Sequence, residues 1–138
     1  MNFSKPVSYA IRSLIHLARH GGKGPILSST IAQAESLPAP YLIKVLGVLT
    51  THGIVKASRG RGGGFTLAKP ASEINFYDVF ILFEGLALTQ DCLLGLGKCG
   101  EVGHCPVHEK WEAPKGHMEA FMKNTTIEEL ANMRDSIE

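Results

Sequence analysis

Between Pro6 and His20 the apolar residues Val7, Ala10, Ile11, Leu14, Leu17 and Ala18 recur every three or four positions, the period of one helix face. Gly21, Gly22, Gly24 and Pro25 end that run. Ser28, Ser29 and Thr30 then offer N-cap oxygens for a short second helix reaching about Glu35. Pro38 and Pro40 break the chain before a third helix, expected from about Ala39 to Thr51. Its inner face carries Leu42, Val45, Leu46 and Leu49, and His52-Gly53 closes it.

The period then changes. Ile54-Val55-Lys56-Ala57 and Phe65-Thr66-Leu67 are short β-capable runs around Ser58-Arg59-Gly60-Arg61-Gly62-Gly63-Gly64, which together read as a hairpin. A fourth helix, about Asn75 to Glu84, puts Phe76, Val79, Phe80 and Phe83 at core spacing. Past a glycine-rich loop, Trp111, Met118, Phe121 and Met122 mark a helix interrupted or entered at Pro114, and that stripe reads as a dimer seam. Thr126-Ile127-Glu128-Glu129 has the form of a capping box opening a last short helix. The expected fold is mainly α with a small β-hairpin. A winged helix-turn-helix domain would occupy residues 1–84, a cysteine-rich loop 85–106, and a C-terminal dimerisation helix with a short final helix 107–138.

Charge changes the picture more than composition does. The formal net charge is only +1, but residues 1–70 carry nine basic side chains against the single acid Glu35, and residues 71–138 carry five against twelve acids. A chain sorted in this way can turn one half toward a polyanion and keep the other half away from it. The longest apolar runs, such as Val79 to Phe83, are far too short to span a bilayer, and no secretory signal pattern is visible. A cytoplasmic protein with no membrane partner is therefore expected.

All three cysteines, Cys92, Cys99 and Cys105, fall within one fourteen-residue stretch, with His108 three positions after the last. An odd number of cysteines without export points to metal or redox chemistry and not to a disulfide scaffold. The spacing C-x6-C-x5-C-x2-H supplies three soft thiolates and an imidazole, enough to close a four-ligand site for zinc or for an iron–sulfur cluster. A metal-free thiol switch is the remaining option for such a loop.

In a helix-turn-helix the second helix lies in the major groove, with its N-terminal residues nearest the base edges. Here those residues are Ala39, Pro40 and Tyr41, with Lys44 one turn on and Ser28 at the start of the preceding helix. Pro40 donates nothing and Ile43 is apolar, so base-reading groups are few and contact with thymine methyls comes into play. Tyr41 and Lys44 suit phosphates equally well. The wing is the stronger feature. Arg59 and Arg61 alternate with Gly60 and Gly62, so a slim backbone carries two guanidinium groups toward a narrow minor groove. The nucleotide-cradling pattern G-x-x-x-x-G-K-[ST] is absent. The sequence offers no nucleophile–base pair and no paired carboxylates, which argues against an enzyme. A simple electron carrier would leave the arginine wing without a use.

Tyr9-Ala10-Ile11-Arg12, Tyr41-Leu42, Gly53-Ile54-Val55 and above all Arg59-Gly60-Arg61-Gly62-Gly63-Gly64-Phe65, followed by the cysteine loop, resemble the winged-helix repressors of the IscR and NsrR type, the Rrf2 family. The likeness spans about residues 1–135. It implies a homodimeric repressor, joined through its long C-terminal helix, that binds double-stranded operator DNA under the control of an iron–sulfur cluster sensing iron, redox state or nitric oxide. In the nitric-oxide-sensing type a partner-donated carboxylate near the start of the first helix completes a four-iron cluster, and Ser8 stands at that position. Another variant adds a histidine in the second helix, where this chain has Gln33. The iron–sulfur-assembly regulators use Cys-x-x-His, which Cys105-Pro106-Val107-His108 matches. The resemblance thus implies a 2Fe-2S cluster, in preference to 4Fe-4S, on Cys92, Cys99, Cys105 and His108. His104 or a partner-chain residue is the rival fourth ligand. The first gap is six residues where five are common in that type, and Gly95, Gly97 and Gly100 can absorb the difference.

Overall fold

The computed structural model describes residues 3–86, 90–101 and 105–137. Among them run α1 (Lys5–His20), α2 (Ser28–Glu35), α3 (Ala39–Thr51), β1 (Val55–Ser58), β2 (Gly64–Leu67), α4 (Phe76–Glu84), α5 (His108–Asn124) and α6 (Ile127–Ile137). The mainly helical fold with one small hairpin is the one the apolar pattern predicts.

Helix α1 is the central strut. Val7, Ala10, Ile11, Leu14 and Leu17 are buried, as their spacing requires, and the helix packs against α3, α4 and α6. Ser13 and His16 are also buried on it, which an apolar pattern cannot announce. Ser13 is satisfied locally, its hydroxyl donating to the Tyr9 carbonyl at 2.7 Å. Helix α2 differs from expectation at its start. Leu27, in extended conformation, is the N-cap and no side chain caps the helix, so Ser28, Ser29 and Thr30 lie inside the first turn. Helix α3 begins after Pro38 and buries Leu42, Val45, Leu46 and Leu49. Gly53, at φ 74°, turns the chain from α3 into the wing, and the Ile54 N–H donates to the Leu49 carbonyl at 2.9 Å.

The hairpin is antiparallel, with register from Val55↔Leu67 to Ser58↔Gly64. A third segment fastens it. Ile26 N–H donates to the Phe65 carbonyl at 3.0 Å, and Phe65 N–H donates back to Ile26 at 2.8 Å, so the wing is stitched to the residues just before α2. Gly64 is required there, because a Cβ at that position would lie 2.5 Å from the Ile26 carbonyl.

Asn75 and Asp78 form a reciprocal capping box at the start of α4. Val79 and Phe80 are buried as predicted, whereas Phe76 and Phe83 are half-buried. The segments entering α4 and α6 pair with each other: Phe76 N–H donates to Thr125 at 2.9 Å and Ile127 N–H to Ile74 at 2.8 Å. Thr126 accepts from the Glu129 N–H at 3.1 Å, the capping half of the motif read from the sequence. Helix α5 runs unbroken through Pro114, contrary to the expected interruption. Pro114 removes one backbone donor, but the residue and Lys110 four positions earlier are both exposed, so water can take the freed carbonyl. Met122 is fully buried within this chain and so packs its own core, while Phe121 stays exposed and rests against Phe76.

One polar cluster holds three helices together. Glu35, at the end of α2, has its carboxylate buried. Arg134 of α6 lies 2.7 Å away, Arg12 of α1 at 3.6 Å and His16 of α1 at 3.8 Å. Arg12 also donates to the Glu35 backbone carbonyl. The lone acid of the first seventy residues is therefore turned inward. No helix among the described residues is long and apolar enough to cross a membrane.

Candidate metal centre and nucleic-acid interface

Past α4 the chain folds back on itself through glycine. Cys92 N–H donates to the Gly97 carbonyl at 2.7 Å, Gly95 N–H to the Cys92 carbonyl at 2.9 Å, and Cys99 N–H to the Gln90 carbonyl at 2.6 Å. Gly95, Gly97 and Gly100 all have positive φ, which residues with a Cβ rarely adopt. Gly95 and Gly97 lie in the six-residue gap between the first two cysteines, and Gly100 follows the second.

The four expected ligands meet in two pairs. Cys92 Sγ and Cys105 Sγ are 3.2 Å apart, and Cys99 Sγ lies 3.3 Å from His108 Nδ1. All three cysteines are free thiols. His108 opens α5, and its other ring nitrogen, Nε2, is 4.0 Å from the Glu112 carboxylate one turn on. A carboxylate on the far side of an imidazole is the usual companion of a metal-binding histidine, because it fixes the tautomer. Among the described residues no group of three or more His, Cys, Asp or Glu side chains gathers as a single-ion site. His104 lies outside the described residues.

The two sulfurs of the first pair are unlike. The Leu96 backbone N–H, then the Cys105 thiol and the Leu94 N–H, hold the Cys92 thiol below its ordinary value. Cys105 is pushed up, chiefly because it shares its proton with Cys92. Of the pair, Cys92 gives up its proton the more readily, and the thiolate is the form that both metals and oxidants require.

Three thiols and an imidazole, meeting as two pairs, are a donor set that suits an iron–sulfur cluster or zinc.

On the basic half, Ala39, Pro40, Tyr41 and Lys44 lie exposed along the first turns of α3, and Ser28 is half-buried at the start of α2. Tyr41 leans edge-on against Tyr9, with ring centroids 5.3 Å apart. Arg59, Gly60, Arg61 and Gly62 form the exposed wing tip. That tip is a set turn: Gly63 N–H donates to the Gly60 carbonyl at 2.9 Å, and Gly60 and Gly62 take positive φ. A cavity of about 510 Å³, lined by Leu27, Thr30, Gly60 and Gly62 among others, joins the wing tip to the beginning of α2. Two residues escaped the sequence reading. Glu35 gave a signal, as the one acid in a basic half. Gly47 did too, as a glycine in the middle of α3, where its outward side is open.

A family model described as an iron-dependent transcriptional regulator, Rrf2, matches residues 3–133. A putative HTH-type transcriptional regulator of Aquifex aeolicus is 36% identical over 137 residues, covering 98% of this chain and 94% of that protein. The HTH-type regulator IscR of Serratia proteamaculans is 28% identical over 135 residues, covering 98% and 82%. Among solved structures, CymR, the global cysteine regulator of B. subtilis, superposes with a TM-score of 0.83 at 27% identity, covering 96% of this chain and 98% of that one. T. potens IscR does so at 0.78 and 27%, covering 100% and 89%. These relatives are regulators of transcription, not enzymes.

Proposed function

Since the chain belongs to the Rrf2 family of transcriptional regulators, we propose that it is a homodimeric repressor whose hold on operator DNA is set by a 2Fe-2S cluster on Cys92, Cys99, Cys105 and His108. The observation that carries this reading is the pairing of donors, Cys92 with Cys105 and Cys99 with His108. When bound, the cluster supplies redox and ligand-exchange chemistry that small signals can reach. The residues of this chain do the rest. The loop from residue 85 to 106 is rich in glycine and costly to order, and the paired donors, once engaged, fix it against the start of α5. Helix α5 buries only Met122 among its own residues, which leaves Phe121 and most of its surface for a second copy. Arg59 and Arg61 on the set wing turn engage the minor groove, while Ala39, Pro40, Tyr41, Lys44 and Ser28 lie against the major groove and its phosphates. A protein that binds operators works beside the chromosome, which places it in the cytoplasm. The test is metal content. Purified without oxygen, the protein carries iron and sulfide near two each per chain, and His108→Ala and Cys99→Ala each lose both. A colourless anaerobic protein with no iron overturns the reading.

One observation favours a second reading. The Cys92 thiol, held below its ordinary value, sits 3.2 Å from the Cys105 thiol, as a disulfide-forming pair would. Oxidation would join the two sulfurs, with two electrons and two protons passing to the oxidant. In that case peroxide removes two of three titratable thiols and changes DNA binding in a protein that never held iron, and His108→Ala leaves the response intact.

A further inference from the structure

The outward face of α3 carries few groups that read bases by hydrogen bond, Lys44 being its one charged side chain. At 100° per residue, the sector opposite Leu42, Val45, Leu46 and Leu49 carries Ile43, Gly47, Pro40, Thr51 and Lys44. The threonine hydroxyls at its end turn back on their own helix: Thr51 donates to the Gly47 carbonyl at 2.9 Å and Thr50 to the Leu46 carbonyl at 2.8 Å. No carboxylate stands in for them, since Glu35 is buried under Arg12, His16 and Arg134. Ile43, 55% exposed, is the largest apolar group on this face and lies toward its edge, while Lys44 lies nearer its centre.

Gly47 adds an independent sign. A glycine in mid-helix weakens the helix relative to alanine. Nothing among the described residues asks for it, because a Cβ there would meet no atom within 4 Å and the backbone is ordinary helix. A bare backbone at that point leaves room for close approach by something outside the chain. Around it, the first seventy residues present nine basic side chains, which suits a nucleic acid.

We propose that α3 reads its operator through the 5-methyl groups of thymine, with Ile43 making the contact and Gly47 giving the helix the clearance to bring it there. This rests on the reading above in which α3 enters the major groove, and it names what that helix selects. Thymine alone presents a methyl group in the major groove, so an apolar side chain can discriminate it without any hydrogen bond. Lys44 then serves phosphate, and the wing arginines add groove shape.

The experiment starts from duplexes selected out of a random library by the wild-type protein, prepared anaerobically. Each thymine is replaced in turn by deoxyuridine, which deletes the methyl and nothing else. At one or more positions of each half-site the wild type loses about fourfold in affinity, the order expected for one buried methyl. Ile43→Ala, an exposed change that leaves the melting temperature in place, keeps salt-dependent binding but no longer separates thymine from uracil. Gly47→Ala melts higher than wild type and binds the selected duplex more weakly. The inference is overturned if no thymine-to-uracil change affects the wild type, if Ile43→Ala keeps the discrimination, or if Gly47→Ala binds as tightly as wild type. Absence of salt-dependent binding to any duplex is a different failure: it removes the regulator reading, and this inference with it.

Discussion

Replacing Arg134 by Ala tests whether the buried carboxylate of Glu35 ties the last helix to the DNA-binding half. The Glu35 side chain is 3% exposed and Arg134 33%, with 2.7 Å between Nη1 and Oε1. Breaking a fully buried pair costs about 3–5 kcal/mol, and losing an exposed one about 0–1 kcal/mol. With one partner buried and the other a third exposed, and with Arg12 and His16 still near the carboxylate, the loss works out at about 2 kcal/mol. For a chain of this size that lowers the melting temperature by about 6–10 °C. Urea denaturation followed by far-ultraviolet circular dichroism gives the free energy directly. The double variant Arg134→Ala with Glu35→Gln should recover part of the loss, because it removes the buried carboxylate charge as well as the partner at 2.7 Å. If Arg134→Ala lies within about 0.5 kcal/mol of wild type, or if the two changes simply add, the clamp does not hold α6 to α2.

Three further outcomes follow from the geometry. Arg59→Ala and Arg61→Ala each weaken operator binding and flatten its salt dependence by about one unit of slope where a phosphate contact is lost, with cluster absorbance unchanged in titrations of the anaerobic protein. Gly64→Ala drives a Cβ against the Ile26 backbone, so the wing separates from α2, and operator affinity falls more than for Gly60→Ala, which strains a positive φ but meets no neighbouring atom; filter binding ranks the two. Burial, then His20, holds His16 below its ordinary value of 6.5. The unfolded chain therefore binds this proton first, and stability declines as pH falls below about 6.5 and levels off once the folded form also protonates. Denaturation at several pH values shows a shallower decline for His16→Gln over that window.

Strong periodicity made the helices of the basic half legible. Ala39 to Thr51 is helical as its leucine and valine spacing requires, and the hairpin follows from two β-capable runs around glycine. The failures have local causes. Hydroxyls at Ser28 to Thr30 suggested caps, but Leu27 was free to take the extended conformation at that point, so the helix began one residue earlier than a side-chain cap would set it. Pro114 suggested a break, yet the helix continues through it, with Pro114 and Lys110 on a solvated face. The Glu35 cluster joins residues 99 positions apart in sequence, and no local pattern encodes such a contact. At the metal centre, spacing named the donors but not their partners. Cys92 meets Cys105, and Cys99 meets His108, in a loop that turns at Gly95, Gly97 and Gly100 with positive φ.

The most direct measurement compares one anaerobic preparation before and after removal of its iron by a chelator, titrated against the same operator duplex. The account predicts a coloured protein whose affinity changes by about tenfold or more when colour is lost, the scale of an ordinary coupling between two sites. It further predicts that the change disappears when Cys92, Cys99 and Cys105 are all replaced by Ser. A colourless preparation, or a coloured one that holds the duplex equally well with and without its iron, contradicts the claim that this loop governs the grip on DNA.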